Sequence, residues 1–141
     1  MSIRPILSAS IAVALLVGPA QAFTLDVLHF NDFHSRIESI NAFESTCSAE
    51  EETAGECFGG AARLAAAVAE VRDEITAAGG NLLVLNAGDV FQGSLFFTTG
   101  QGQAEAEMMN RIGIDAMVYG NHEFDLGPEP LASSSTPRTS R

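Results

Sequence analysis

The chain has 141 residues, 18 acidic side chains against 7 basic ones, and a formal net charge of −11. That length fits one modest domain, and a hydrophobic share of 46% is too high for a disordered acidic tail. With no lysine and only scattered arginines, it lacks the basic face that a nucleic-acid polymer requires, so a smaller anionic ligand would need another cation, usually a bound metal.

Residues 1–22 read as a secretory signal. Arg4 is followed by an apolar run from Ile11 to Val17 and then by Ala20-Gln21-Ala22. This is the order of a basic start, a hydrophobic stretch and a small-x-small cleavage site. The run falls short of the roughly 20 apolar residues that span a bilayer. The expectation is export to the periplasm or the extracellular space, with no stable membrane insertion once the signal is removed. In an oxidising compartment Cys47 and Cys57 are expected to form a disulfide. The acidic, apolar-poor stretch between them reads as a solvated surface.

Beyond the signal, three strand-like runs alternate with two helical patterns. Residues 23–30 are rich in β-branched and aromatic types and predict a strand, in which His29 is expected to pack or hydrogen-bond. The run leads directly into Asn31-Asp32-Phe33-His34. After Gly59-Gly60, Leu64, Val68, Val71 and Ile75 recur at spacings of four and three, the signature of one helix face. Gly79-Gly80 stops that helix. Leu82-Leu83-Val84-Leu85 predicts a strand buried on both faces, ending in Asn86-Ala87-Gly88-Asp89. A Phe- and Gly-rich connection precedes a second helix over residues 103–111, with Met108 and Ile112 inward and Gly113 as its cap. A third strand over 114–119 ends in Gly120-Asn121-His122-Glu123-Phe124-Asp125. Residues 132–141 lack apolar periodicity and are expected to be a disordered tail. The βαβαβ order predicts an α/β fold with parallel strands and helical crossovers. Ligands of such sheets sit outside the carboxyl ends of the strands.

Each strand ends in residues able to hold a metal. In an extended segment Asp32 and His34 point to the same side, and a carboxylate with an imidazole suits zinc, manganese or iron. Gly88 permits the sharp turn that presents Asp89, whose two oxygens can bridge two ions. Asn121 offers a neutral amide oxygen. His122 can face a substrate while Asp125, three residues on, accepts its N–H and holds an imidazolium. Glu123 belongs to the same cluster, with a first-turn acid favoured by a helix dipole as the alternative. Taken singly, each is also what a polar turn after a strand supplies. A plain exported α/β binding module therefore stays open at this point.

Together, Asn31-Asp32-Phe33-His34, Gly88-Asp89-Val90-Phe91-Gln92-Gly93-Ser94 and Gly120-Asn121-His122-Glu123-Phe124-Asp125 resemble the opening motifs of the calcineurin-like metallophosphoesterases. The likeness is to the exported branch of 5′-nucleotidases, 2′,3′-cyclic-nucleotide phosphodiesterases and UDP-sugar hydrolases. The resemblance implies that residues 23–131 are the N-terminal part of a four-layer α/β/β/α sandwich. It implies two divalent ions, zinc, manganese or similar, and a nucleotide or other small phosphate ester as substrate. Asp32 and His34 would bind the first ion, Asp89 would bridge both and Asn121 would bind the second. His122 would contact the phosphoryl group, with Asp125 as its dyad partner. The only histidines are His29, His34 and His122, so the family's later histidine motif has no match. The C-terminal nucleoside-binding domain has none either. The expectation is the N-terminal piece of a two-metal phosphohydrolase; the alternative is a truncated, catalytically inactive metal-binding fragment.

Overall fold

The computed structural model describes residues 22–129 and Ala132. Apart from Ala22 and Ala132, the expected signal segment and the expected tail lie outside the described residues. In chain order the elements are β1 (Leu25–Phe30), α1 (Ala49–Ala54), α2 (Ala61–Ala77), β2 (Asn81–Asn86), α3 (Leu95–Gly100), α4 (Gln103–Ile112) and β3 (Ala116–Met117). The strands form one parallel sheet in the order β1-β2-β3. The fold class is α/β, as the alternating pattern predicts, with α1 and α3 added between the expected elements.

Helix α2 forms where alanines and long side chains favour a helix, and its apolar stripe faces the sheet. Val68 and Ala61 are buried, and Leu64 and Ala65 pack beside them. On α4 the more deeply buried methionine is Met109, not Met108, which only borders the core. Val84 of β2, Val90, Phe91, Phe97 and Ile112 complete this layer with Phe33.

Two strand expectations need correction. Strand β2 is not covered on both faces: Val84 and Asn86 are buried, while Leu83 and Leu85 on the other face are only half-buried. Leu25, Val27 and His29 of β1 lie exposed on that same face, where no described helix packs. His29 is thus neither packed nor buried. Strand β3 is only two residues long, Ala116–Met117, and Asp115 just before it is bound to Val84 by side chain as well as backbone. Val84 N–H donates to Asp115 Oδ2 at 2.8 Å, and Asp115 N–H donates to the Val84 carbonyl at 2.8 Å.

Cys47 and Cys57 are disulfide-bonded, with Cα atoms 5.9 Å apart. The acidic stretch they enclose is exposed, but it is not irregular. Ser48 caps α1 through a capping box with Glu51, and Gly55 closes the helix in the left-handed conformation. The Ser48 N–H, followed by the Asn41 amide, holds the Glu51 carboxyl below its ordinary value. That contribution is present above the unfolded pKa and fades as pH falls through the lowered one.

Candidate metal centre

Past the strand ends, the loops after β1 and β2 stay laced together. Asp32 N–H donates to the Gly88 carbonyl at 3.1 Å, His34 N–H to the Asp89 carbonyl at 3.0 Å and Ser35 N–H to the Val90 carbonyl at 2.9 Å. To follow those carbonyls the first loop curls. Asp32 and His34 take φ of 54° and 48°, so the extended backbone assumed from their spacing is not what aligns them. They meet nonetheless, with His34 Nε2 3.4 Å from Asp32 Oδ1. Asn31 also donates to Asp32 Oδ2 through its side-chain amide.

The loops after β2 and β3 are in contact as well. His122 N–H donates to Asp89 Oδ1 at 3.0 Å. A short 3-10 turn over His122–Phe124 then carries Asp125 back to the imidazole, and His122 Nδ1 lies 2.8 Å from Asp125 Oδ2. The His34 and His122 rings stand edge to face with centroids 5.1 Å apart. One ligand atom each from His34, Asp89 and His122 lies within 4.8 Å of the others, so these three form a group able to hold an ion. Asp32 borders the group through His34, and Asn121 is exposed beside it. Carboxylate with imidazole is a donor set that fits a borderline divalent ion such as zinc or manganese.

Two buried residues at this site carry no signal strong enough to be read beforehand. Glu123 does lie in the first turn of the 3-10 segment, but it faces inward: it is 1% exposed, and its carboxylate accepts the backbone N–H groups of Asp89 and Gly120. Glu105, near the start of α4, looks like an ordinary exposed helix acid in sequence. It is fully buried and accepts from the Ser35 hydroxyl. Ser94 Oγ lies 2.6 Å from Ser35 Oγ and donates to the Ser35 carbonyl at 2.7 Å, so the residue after His34 is anchored twice.

A groove of about 410 Å³ opens beside these serines, and another of about 510 Å³ runs alongside Asp32 between Phe30, Phe33 and Phe58. The two guanidinium groups lining the second groove are engaged, Arg36 with Glu44 at 4.0 Å and Arg63 with Glu52.

The hydrogen bond to Asp125 raises the His122 pKa above its ordinary 6.5; partial burial opposes it, and the charges of Asp125, Asp89 and Glu123 add to it. In the metal-free protein His122 is expected to titrate above 6.5, and Asp125→Asn to bring it down. The raised value favours folding below the unfolded pKa, and that contribution is lost as pH rises through the folded one. Proton NMR titration of the imidazole checks this; an unchanged midpoint in the variant would refute the pairing.

A family model described as calcineurin-like phosphoesterase matches residues 25–140. The chain is 44% identical over 118 residues to the 5′-nucleotidase of Bos taurus, covering 84% of this chain and 19% of that protein. It is 40% identical over 126 residues to Protein 5NUC of Lutzomyia longipalpis, covering 86% and 22%. Among solved structures, a 5′-nucleotidase precursor from Thermus thermophilus superposes with a TM-score of 0.60 at 41% identity, over 79% of this chain and 20% of that one. The NAD nucleotidase of Haemophilus influenzae gives 0.63 at 32% identity, over 78% and 20%. The chain spans about a fifth of the length of the curated relatives it matches.

Proposed function

The chain belongs to the calcineurin-like phosphoesterase family, and on that premise we propose that it carries metal-holding residues of an exported hydrolase of nucleotide phosphate esters. The observation that carries this reading is the convergence of His34, Asp89 and His122 from three successive strand ends. The names of its relatives, 5′-nucleotidases among them, point to nucleoside monophosphates as the first substrates to try.

In this reading Asp32 and His34 would hold one divalent ion, Asp89 would serve both and Asn121 would hold the second. Bound there, such ions polarise phosphoryl oxygens and lower the pKa of an attacking water. His122 has Nδ1 engaged by Asp125, which leaves Nε2 to face the phosphoryl group. The pull of Asp125 toward the protonated imidazole suits His122 to donate a hydrogen bond to a developing oxyanion. The same group can then deliver a proton to the leaving oxygen, and Asp125 stabilises the charge in the meantime. The Cys47–Cys57 disulfide supports a location in an oxidising compartment, periplasmic or extracellular.

Phosphate release from adenosine 5′-monophosphate by the intact protein tests the proposal. A 2′,3′-cyclic nucleotide and a UDP-sugar run in parallel separate the finer substrate classes. Release should require Mn²⁺ or Zn²⁺, stop on chelation and resume when metal is returned. No release from any of the three with either metal would refute it.

A further inference from the structure

Glu123 is the one titratable residue of the third strand-end segment that the proposed chemistry does not use, yet it is among the most buried side chains of the described residues. Its Oε2 accepts the N–H of Asp89 at 2.9 Å and of Gly120 at 2.6 Å. Its Oε1 accepts the N–H of Val90 at 2.7 Å and of Phe91 at 3.2 Å. Three successive amides, residues 89–91, therefore turn inward on one carboxylate. Gly88 precedes them at φ 97°, and Asp89 itself takes φ 54°. Such a run of converging N–H groups is the concavity that elsewhere binds phosphate or other anions. Here the anion is the protein's own side chain, delivered from the neighbouring loop.

The left-handed conformation is unfavourable for aspartate and persists only where its surroundings enforce it. Asp89 also accepts the His122 N–H on Oδ1. The two loops thus close a ring: Glu123 grips the backbone of Asp89, and Asp89 grips the backbone of the residue before Glu123. We propose that Glu123 is a positioning residue, which holds Asp89 in the conformation that aims its carboxylate at His34 and His122 and so sets the metal affinity of the centre. This rests on the reading above that Asp89 holds divalent ions.

Glu123→Gln keeps the shape but turns an NH₂ toward backbone donors. In the metal-free protein, amide hydrogen exchange at Asp89, Val90, Phe91 and Gly120 should become about tenfold faster or more, while the β2 amides stay protected. Mn²⁺ binding, followed by electron paramagnetic resonance, should weaken by about 10- to 100-fold. Saturating Mn²⁺ should restore turnover with KM unchanged, which general loss of stability would not produce. Glu123→Asp keeps both oxygens one methylene short, should fall between, and carries the test if the glutamine variant fails to fold. Unchanged exchange at the four amides in a folded variant, or Mn²⁺ affinity equal to that of wild type, overturns the proposal. A wild-type protein that binds no Mn²⁺ overturns the metal reading instead, and the exchange measurement still decides the clamp.

Discussion

Replacing Asp89 by asparagine is expected to lower metal-dependent phosphate release by about three orders of magnitude, ~4 kcal/mol of transition-state stabilisation. The substitution keeps volume and keeps an Oδ1 to accept the His122 N–H, now at 3.0 Å. What it removes is the negative charge and one anionic oxygen, the features that would let one side chain serve two cations in the function proposed above. The backbone contacts of this loop run through the Asp89 N–H to Glu123 and the Asp89 carbonyl to His34, and both survive. The melting temperature should therefore stay close to that of the wild type while kcat/KM collapses. The bland alternative is that Asp89 is only a turn aspartate. It predicts the opposite pattern, with release and its metal dependence both retained. Steady-state kinetics at several Mn²⁺ concentrations, with a thermal melt alongside, separates the two.

Much of the scaffold is legible in the sequence because its signals are periodic. The spacing of Leu64, Val68, Val71 and Ile75 locates α2, and the apolar run at residues 82–85 locates β2. The strand-end segments can be read for the same reason: parallel strands bring their carboxyl ends to one edge. Shorter features are harder. Helix α1 has a Ser48-x-x-Glu51 capping box in plain view, but six residues between two cysteines carry too little apolar pattern to outweigh an acidic composition. Strand β3 is read as too long because the run over residues 114–119 extends on both sides of the two residues that pair with β2. The roles of Glu105 and Glu123 are not legible at all. Exposed helix acids and buried, hydrogen-bonded ones have the same local sequence, and only tertiary contacts tell them apart. The curled backbone at Asp32 and His34 is also a tertiary product, imposed by the carbonyls of residues 88–90. The face bearing Leu25 and Val27 is a different case. Its apolar side chains fit a sheet buried on both faces, as in the family's layered sandwich, although no described helix packs there.

Gly88→Ala is expected to destabilise the fold by about 2–5 kcal/mol, a large part of the roughly 5–15 kcal/mol typical of a small domain. Two costs combine. At φ 97° a Cβ is strained whatever space surrounds it, worth about 1–2 kcal/mol. That Cβ would also run into the Gly120 amide nitrogen and lie 2.9 Å from Gly120 Cα and 3.0 Å from the Tyr119 carbonyl carbon. These are backbone atoms of the adjoining strand-end loop and cannot rotate away, so overpacking adds about 1–3 kcal/mol. Gly55→Ala supplies the control, since Gly55 has φ 75° and a Cβ there would meet nothing within 4 Å. It should cost only the conformational part, about 1–2 kcal/mol. Thermal and urea denaturation of the two variants measures the difference. If Gly88→Ala costs no more than Gly55→Ala, the loops after β2 and β3 are not in contact as described. If the larger loss is found, the contact explains why Asp89 and His122 arrive together: the glycines let two loops touch, Glu123 laces them, and the facing side chains meet at the strand ends.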